Sequence, residues 1–277
     1  MILSNKERPQ NPVQDAPVVV ITGASQGIGA SVARWLGKIG ARVTLIARSK
    51  QLLDQVAGDV DRLGGTPYPI SMDVSDAQAC RRSIENTIKQ FGRLDGLVNN
   101  AGIFEPMATV ARADLTAWRH NIEVNLLGPV YMTTAAIAEL RKRDGRLVNV
   151  SSGAAIRVIE SGSAYCAAKA ALNHFTRVLA AEEPALTAIA VRPGLVDTQM
   201  QALLRSKGPR EMRPQQAAYF QNLKTTGKLE PPHVPARTIA WLGLSAPHSL
   251  SGMFLDYDDP RISTPALNFF GDDYQIK

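Results

Sequence analysis

The chain is short of nearly everything that builds a disulfide scaffold, a metal centre or a membrane span. Two cysteines, Cys80 and Cys166, stand in 277 residues, too few for a disulfide framework. Cys166 reads as a small buried thiol, with a redox role as the alternative. The four histidines, His120, His174, His233 and His248, are scattered without metal-ligand spacing, so no metal is expected. No apolar run approaches the roughly 18–20 residues that span a bilayer, which excludes a membrane partner of that kind. Segment 1–16 is polar, with Pro9 and Pro12 ahead of Pro17, and lacks the apolar stretch of a signal peptide. It reads as a loose arm, and the expected location is cytoplasmic. Basic residues outnumber acidic ones, for a net charge of +6. No aromatic–basic interleaving, zinc spacing or recognition module accompanies them, so nucleic acid is not expected as a partner. Arg81-Arg82 and Arg141-Lys142-Arg143 fit solvated helix faces. A basic surface also suits a multiply anionic cofactor. No linker, repeat or low-complexity tract interrupts the chain after Val18, so 17–277 is read as a single domain.

What is present is an alternation of strand and helix patterns. Strands are expected near Val18–Ile21, Val43–Ala47, Tyr68–Met72, Gly96–Val98, Arg146–Val150, Ala188–Val191 and Gly252–Leu255. Helices fill the gaps, the longest around Trp118–Arg143 and Ala164–Ala181. Such alternation implies an α/β fold: a Rossmann-type doubly wound parallel sheet of about seven strands, covered on both faces. Ligands bind such sheets at the carboxyl ends of the strands.

Two motifs carry chemistry. Val18-Val19-Val20-Ile21 runs into Thr22-Gly23-Ala24-Ser25-Gln26-Gly27-Ile28-Gly29, and then into a helix with apolar residues at Ile28, Val32, Leu36 and Ile39. Strand, glycine turn and helix in that order make a dinucleotide site. Glycines let backbone approach the pyrophosphate, and the helix N-terminus offers it free N–H groups. Further on, Tyr165 and Lys169 lie four apart, on one helix face. A phenol ordinarily titrates near 10, and a neighbouring ammonium should lower that value. The pair can then exchange a proton during carbonyl reduction or alcohol oxidation. At the end of the second strand stands Ala47-Arg48-Ser49 in place of a carboxylate. A carboxylate there would accept from the ribose 2′-OH of NAD; Arg48 and Ser49 suit the 2′-phosphate of NADPH.

Taken in order, Thr22, Gly23, Gly27 and Gly29, Asp73-Val74, Asn99-Asn100-Ala101-Gly102, Asn125, Ser152, Tyr165, Lys169 and Pro193-Gly194 resemble the short-chain dehydrogenase/reductase family. The resemblance covers nearly the whole chain. Tyr165-Cys166-Ala167-Ala168-Lys169-Ala170-Ala171, Glu182-Glu183-Pro184, Pro193–Gln201 and Ser251-Gly252 followed by Asp256 resemble sepiapterin reductases and fungal benzil-type diketone reductases within it. The resemblance implies a catalytic set of Asn125, Ser152, Tyr165 and Lys169, with Asn125 holding a water that links Lys169 to solvent. It implies a cofactor site of Gly23, Ser25, Gln26, Gly27, Ile28, Gly29, Arg48, Ser49, Asp73, Val74, Asn99, Ala101, Gly102, Tyr165, Lys169, Pro193, Gly194, Val196 and Thr198. Gln26 departs from NADPH-preferring relatives, many of which carry a second basic residue in that turn.

Substrate contacts are expected from Ser152, Tyr165 and Asp256. Asp256 has two readings: an anchor for the guanidine-like edge of a pterin, as in sepiapterin reductase, or a turn cap in Asp256-Tyr257-Asp258-Asp259-Pro260. Segment 197–235 lacks clear periodicity and reads as a long loop acting as a substrate lid. The expected function is an NADPH-dependent carbonyl reductase acting on a small-molecule ketone or diketone. Alternatives are an NADP-linked alcohol dehydrogenase, an imine reductase, and a nucleotide-sensing protein without catalysis. Members of the family pair through two long helices, so a homodimer or homotetramer is expected. The apolar residues Val124, Leu127, Val130, Ala170, Leu172, Phe175 and Val178 fit that pairing, or a core-only role.

Overall fold

The computed structural model describes residues 16–274. The arm expected over 1–16 therefore lies outside the described residues except for its last position. Seven parallel strands form one sheet. They are β1 (Val18–Thr22), β2 (Arg42–Ala47), β3 (Thr66–Ser71), β4 (Gly96–Asn99), β5 (Arg146–Val150), β6 (Thr187–Arg192) and β7 (Phe254–Asp256). Their spatial order is β3-β2-β1-β4-β5-β6-β7. Connections run outward in opposite directions from β1 and β4, so the carboxyl ends of those two strands flank a crevice. The doubly wound sheet expected from the sequence is the fold observed.

The alternation of side chains along each strand builds two cores. Val19 and Ile21 enter one, with Trp35, Leu36 and Ile239. Val18 and Val20 enter the other, with Leu97, Met132 and Leu140. The three valines and the isoleucine of β1 are fully buried, which is why that strand reads as an unbroken apolar run. β3 contains Pro67 and Pro69 and pairs only with β2, so the missing N–H groups fall on an open edge.

The first core is covered by α1 (Gly27–Gly37), α2 (Lys50–Arg62), α9 (His233–Ser245) and α10 (Pro260–Phe270). The second lies under α3 (Ala77–Phe91), α5 (Gly128–Arg141) and α6 (Ser163–Glu182). The expected single helix over Trp118–Arg143 is instead α4 (Leu115–Ile122), a π-helical turn over Glu123–Leu127, and α5. The extra residue per turn is not visible in an apolar period. Segment 197–235 is not a loop. It contains α7 (Gln199–Glu211) and α8 (Pro214–Thr225), both weakly patterned because much of each is exposed.

Candidate active site

A cleft of about 1070 Å³ opens along the carboxyl ends of the strands. Pockets for one drug-sized ligand run to roughly 300–1,000 Å³, so this one has room for a dinucleotide and a substrate together. Its floor begins at the glycine turn between β1 and α1. Gly23 and Gly27 adopt φ of +65° and +56°. At Gly29 a Cβ would sit 2.3 Å from the Gly23 carbonyl oxygen, so only glycine permits this fold of the turn. Gln26 precedes α1 with no side-chain cap, and the first turn keeps unpaired N–H groups aimed at the cleft. That cradle fits a pyrophosphate.

The turn is tied to β4 by a clasp of Thr22 and Asn100. Thr22 Oγ1 accepts from the backbone N–H of Asn100 and of Ala101, each at 3.0 Å. The Asn100 amide donates back to the carbonyls of Thr22 and Gly23 at 3.0 and 3.2 Å. Both residues belong to the motifs, yet neither was assigned to the site from sequence. Ser25, Gln26, Gly27, Ile28, Ala101 and Gly102 line the cleft, whereas Gly29 and Asn99 stand behind its wall. Asn99 is buried, and its amide donates to Asn149 Oδ1 at 2.9 Å. Asn149 donates to Thr176 Oγ1 at 2.9 Å, and Thr176 to the Leu172 carbonyl at 2.8 Å. Asn99 thus begins a buried polar chain from β4 through β5 to α6, instead of facing a ribose.

At the end of β2, Arg48 is exposed on the cleft rim and Ser49 Oγ caps α2 by accepting from Leu52 N at 3.4 Å. Asp73 and Val74 line the same end. Burial raises the Asp73 pKa, but hydrogen bonds from the Ser75 N–H and hydroxyl, with the nearby Arg48 charge, outweigh it and hold the carboxylate below its usual range.

The opposite end of the cleft gathers Ser152, Tyr165 and Lys169. Ser152 follows β5 and accepts from Ala154 N at 3.1 Å. Tyr165 lies one helical turn before Lys169 on α6. Its hydroxyl faces the same end of the cleft as Ser152, which favours the ionised phenol. Its ring packs on Phe104, with centroids 5.1 Å apart. Lys169 Nζ stands 5.7 Å from the Tyr165 ring centroid and donates to the Val150 carbonyl at 2.9 Å.

The expected lowering of the Tyr165 pKa by Lys169 is not what this geometry gives. Burial pushes the phenol up to about 12, against the lowering influence of Ser152 and with an added rise from Cys166. Burial also brings the Lys169 ammonium down to about 8. Both groups sit in the wall, and desolvation disfavours the charged form of each.

Asn125 occupies the π-helical turn, fully buried. It donates to the Ile103 carbonyl at 2.8 Å and to Asn121, and accepts from Ile103 N at 3.2 Å. Asn121 donates to the carbonyls of Ile103, Phe104 and Glu105 at 3.2, 3.2 and 2.6 Å. The two asparagines hold the segment 103–105, whose Phe104 packs on Tyr165. Asn121 was missed; its spacing of one turn from Asn125 was the available signal. Extra residues in helices of this kind recur at functional sites.

Pro193, Gly194, Val196 and Thr198 complete the wall after β6. Gly194 has φ of +80°, and a Cβ there would lie 2.8 Å from the Tyr257 ring. Burial, together with Glu230 and Asp258, raises the Tyr257 pKa to about 12. Asp256 lines the cleft, but its two carboxylate oxygens accept from Nε and Nη2 of Arg192. Each oxygen of the acceptor pair expected to hold a pterin edge thus already has one donor, and each can accept a second. Leu195, Met200, Leu204, Tyr219 and Phe220 supply apolar surface above Tyr165. Among the described residues no cluster of His, Cys, Asp and Glu could hold a metal ion, and no helix is long and apolar enough to cross a membrane.

A family model for short chain dehydrogenases matches residues 17–208. The chain belongs to the short-chain dehydrogenase/reductase family. This reductase-family chain is 37% identical over 241 residues to an uncharacterized oxidoreductase of Schizosaccharomyces pombe, covering 87% of this chain and 96% of the relative. It is 33% identical over 258 residues to the (S)-benzoin-forming benzil reductase of Saccharomyces cerevisiae, covering 88% and 97%. A crystal structure of a Saccharomyces cerevisiae short-chain dehydrogenase/reductase superposes with a TM-score of 0.86 at 35% identity, covering 90% and 99%. The short-chain dehydrogenase/reductase described here is thus an enzyme of the oxidoreductase class with a nicotinamide-cofactor fold. The alternative of a sensor without catalysis falls with that result.

Proposed function

We propose that the enzyme is an NADPH-dependent carbonyl reductase for ketones that carry a second carbonyl or an aromatic group next to the reacting one. The observation that carries this reading is the convergence of Ser152, Tyr165 and Lys169, under an apolar and aromatic wall, in the same cleft as the uncapped helix N-terminus. When bound, NADPH supplies a hydride to the carbonyl carbon and leaves as NADP. Tyr165 donates its proton to the carbonyl oxygen, and the alcohol forms. A phenol raised to about 12 is protonated at neutral pH, as an acid for reduction must be. Ser152, which lines the cleft beside Tyr165, orients the same oxygen where negative charge grows. Lys169 holds the nicotinamide ribose, and proton replacement to Tyr165 follows the Lys169 and Asn125 side.

Arg48, exposed at the end of β2 with no carboxylate beside it on that strand, supports the 2′-phosphate preference. Gly23, Gly27, Ile28 and Thr198 would hold the pyrophosphate, Asp73 and Val74 the adenine, and Pro193, Gly194 and Val196 the nicotinamide. Helices α7 and α8 form the substrate lid. The likeness to a benzil reductase supports a diketone as substrate. The enzyme works as a cytoplasmic homodimer or homotetramer.

Loss of NADPH absorbance with benzil tests the reading. Tyr165→Phe should slow turnover by about a hundred- to ten-thousand-fold, while NADPH still binds. Comparable turnover in the variant, or no reduction of any ketone by the wild type, would overturn it.

A further inference from the structure

Arg192 is the last residue of β6 and Asp256 the last of β7, and the two are register partners across the sheet. The guanidinium offers Nε and Nη2 to the two carboxylate oxygens, a fork on a fork. The pair stands at the carboxyl ends of two neighbouring strands, where the sheet meets the cleft. It is only partly open, with side chains 21% and 42% exposed. The pair ends the edge strand β7 and its neighbour β6 at the lip of the cleft, where packing alone does not call for charges.

Its position relative to the reacting atoms gives it another use. A Cβ placed on Gly153 would lie 3.5 Å from Arg192 Cδ and 4.0 Å from its Nη1. The guanidinium therefore runs alongside the residue that follows Ser152. Nη1 has no protein hydrogen-bond partner among the described residues, since both contacts to Asp256 use the other two nitrogens. Glycine at 153 leaves that nitrogen uncovered. A substrate whose carbonyl is held by Ser152 and Tyr165 would bring its neighbouring substituent to this place.

We propose that Arg192 is a specificity-determining residue: Nη1 donates to a second, neutral oxygen adjacent to the reacting carbonyl, and Asp256 makes the subsite select neutral dicarbonyls over oxo acids. The inference rests on the carbonyl-reductase reading and deepens it. An unpaired arginine would seize a carboxylate with both arms of its fork. Here the Nε–Nη2 side is filled and the pair carries no net charge, so the remaining N–H groups, two on Nη1 and one on Nη2, are left for a ketone, ester or amide oxygen. A carboxylate would meet Asp256 at close range and be repelled. The apolar side chains of Leu195, Met200 and Phe220 then receive the substituents of a neutral substrate.

The test compares benzil with deoxybenzoin, which has the same skeleton with one carbonyl removed, and with benzoylformate, the corresponding oxo acid. In Arg192→Leu the ratio of kcat/KM for benzil over deoxybenzoin should fall by about ten-fold or more, the worth of one charge-assisted hydrogen bond. The double variant Arg192→Leu with Asp256→Leu removes both charges, leaves neither unpaired, and should show the same fall. In Asp256→Asn, benzoylformate should gain on benzil by about ten-fold or more, because the guanidinium is released. NADPH binding, followed by fluorescence, verifies that each variant is folded. An unchanged benzil-to-deoxybenzoin ratio in both leucine variants, or no gain by benzoylformate, would overturn the inference while leaving the reductase reading intact. Failure of the wild type to reduce any ketone would bring down both.

Discussion

Lys169 carries an ammonium that the fold buries at a cost. Its ammonium is buried and its pKa has come down from 10.5 to about 8. Between these values the unfolded chain binds the proton and the folded chain does not, so stability rises as pH climbs through that window. Below it the full cost of the buried charge remains, on the order of 3 kcal/mol. Lys169→Met removes the cost at every pH. Its stability advantage relative to wild type should therefore shrink between about pH 8 and pH 10.5. Urea midpoints at the two ends of the window measure this; a constant difference would show that burial does not depress the pKa. Arg48 makes the complementary case at the rim, where the charge is solvated and cheap to keep. A contact with a 2′-phosphate is worth about 1.5–3 kcal/mol, so the wild type should prefer NADPH over NADH by at least about ten-fold in kcat/KM. Arg48→Ala should lose most of that preference, and equal use of both cofactors by the wild type would refute the assignment.

Elements differ in how openly their sequence declares them. The central strands and the glycine turn were legible because burial on two faces writes continuous apolar runs, as in Val18–Ile21. Tyr165 and Lys169 were legible because helical spacing puts them on one face. The π-helical turn was not, since one residue added to a turn leaves the apolar pattern of Trp118–Arg143 nearly intact. Helices α7 and α8 were hidden for the opposite reason: they cover the cleft with few buried residues, and so carry little period. The Arg192–Asp256 pairing was hidden too, because it depends on which strands are neighbours. Asn121, at the end of α4 beside the π-helical turn, yields a direct expectation. Asn121→Ala strips donors from three carbonyls of segment 103–105, at about 1–3 kcal/mol for each buried group left unpaired. Stability should fall on the order of 3 kcal/mol in chemical denaturation, after allowance for water re-entering the gap. Turnover should fall with it, because Phe104 stacks on Tyr165. A loss under about 0.5 kcal/mol would mean the strap is ornamental.

For the whole molecule, the outer surface of α6 bears on assembly. Ala167, Ala170 and Val178 are exposed on it, Val178 to 40%. Leu127, Val130 and Phe175 are only half-buried, while Val124 and Leu172 belong to the core. The expected apolar set thus divides between the interior and a face suited to a second copy. Val178→Glu should shift the particle toward monomer mass in light scattering at micromolar concentration. A wild type that is already monomeric there would count against the oligomer. Within one subunit, the chain of hydrogen bonds from Asn99 through Asn149 to Thr176 divides the cleft into walls of unequal persistence. Helix α6 is locked to two central strands through groups that have no water to fall back on. Its amides near Leu172 should exchange with solvent only when the entire domain unfolds. Helices α7 and α8 touch the body through a smaller apolar cluster around Phe104, Met212 and Phe220. Their amides should exchange through local opening, far sooner. A ligand can then come and go on the clock of one wall, while Tyr165 keeps its place on the clock of the other.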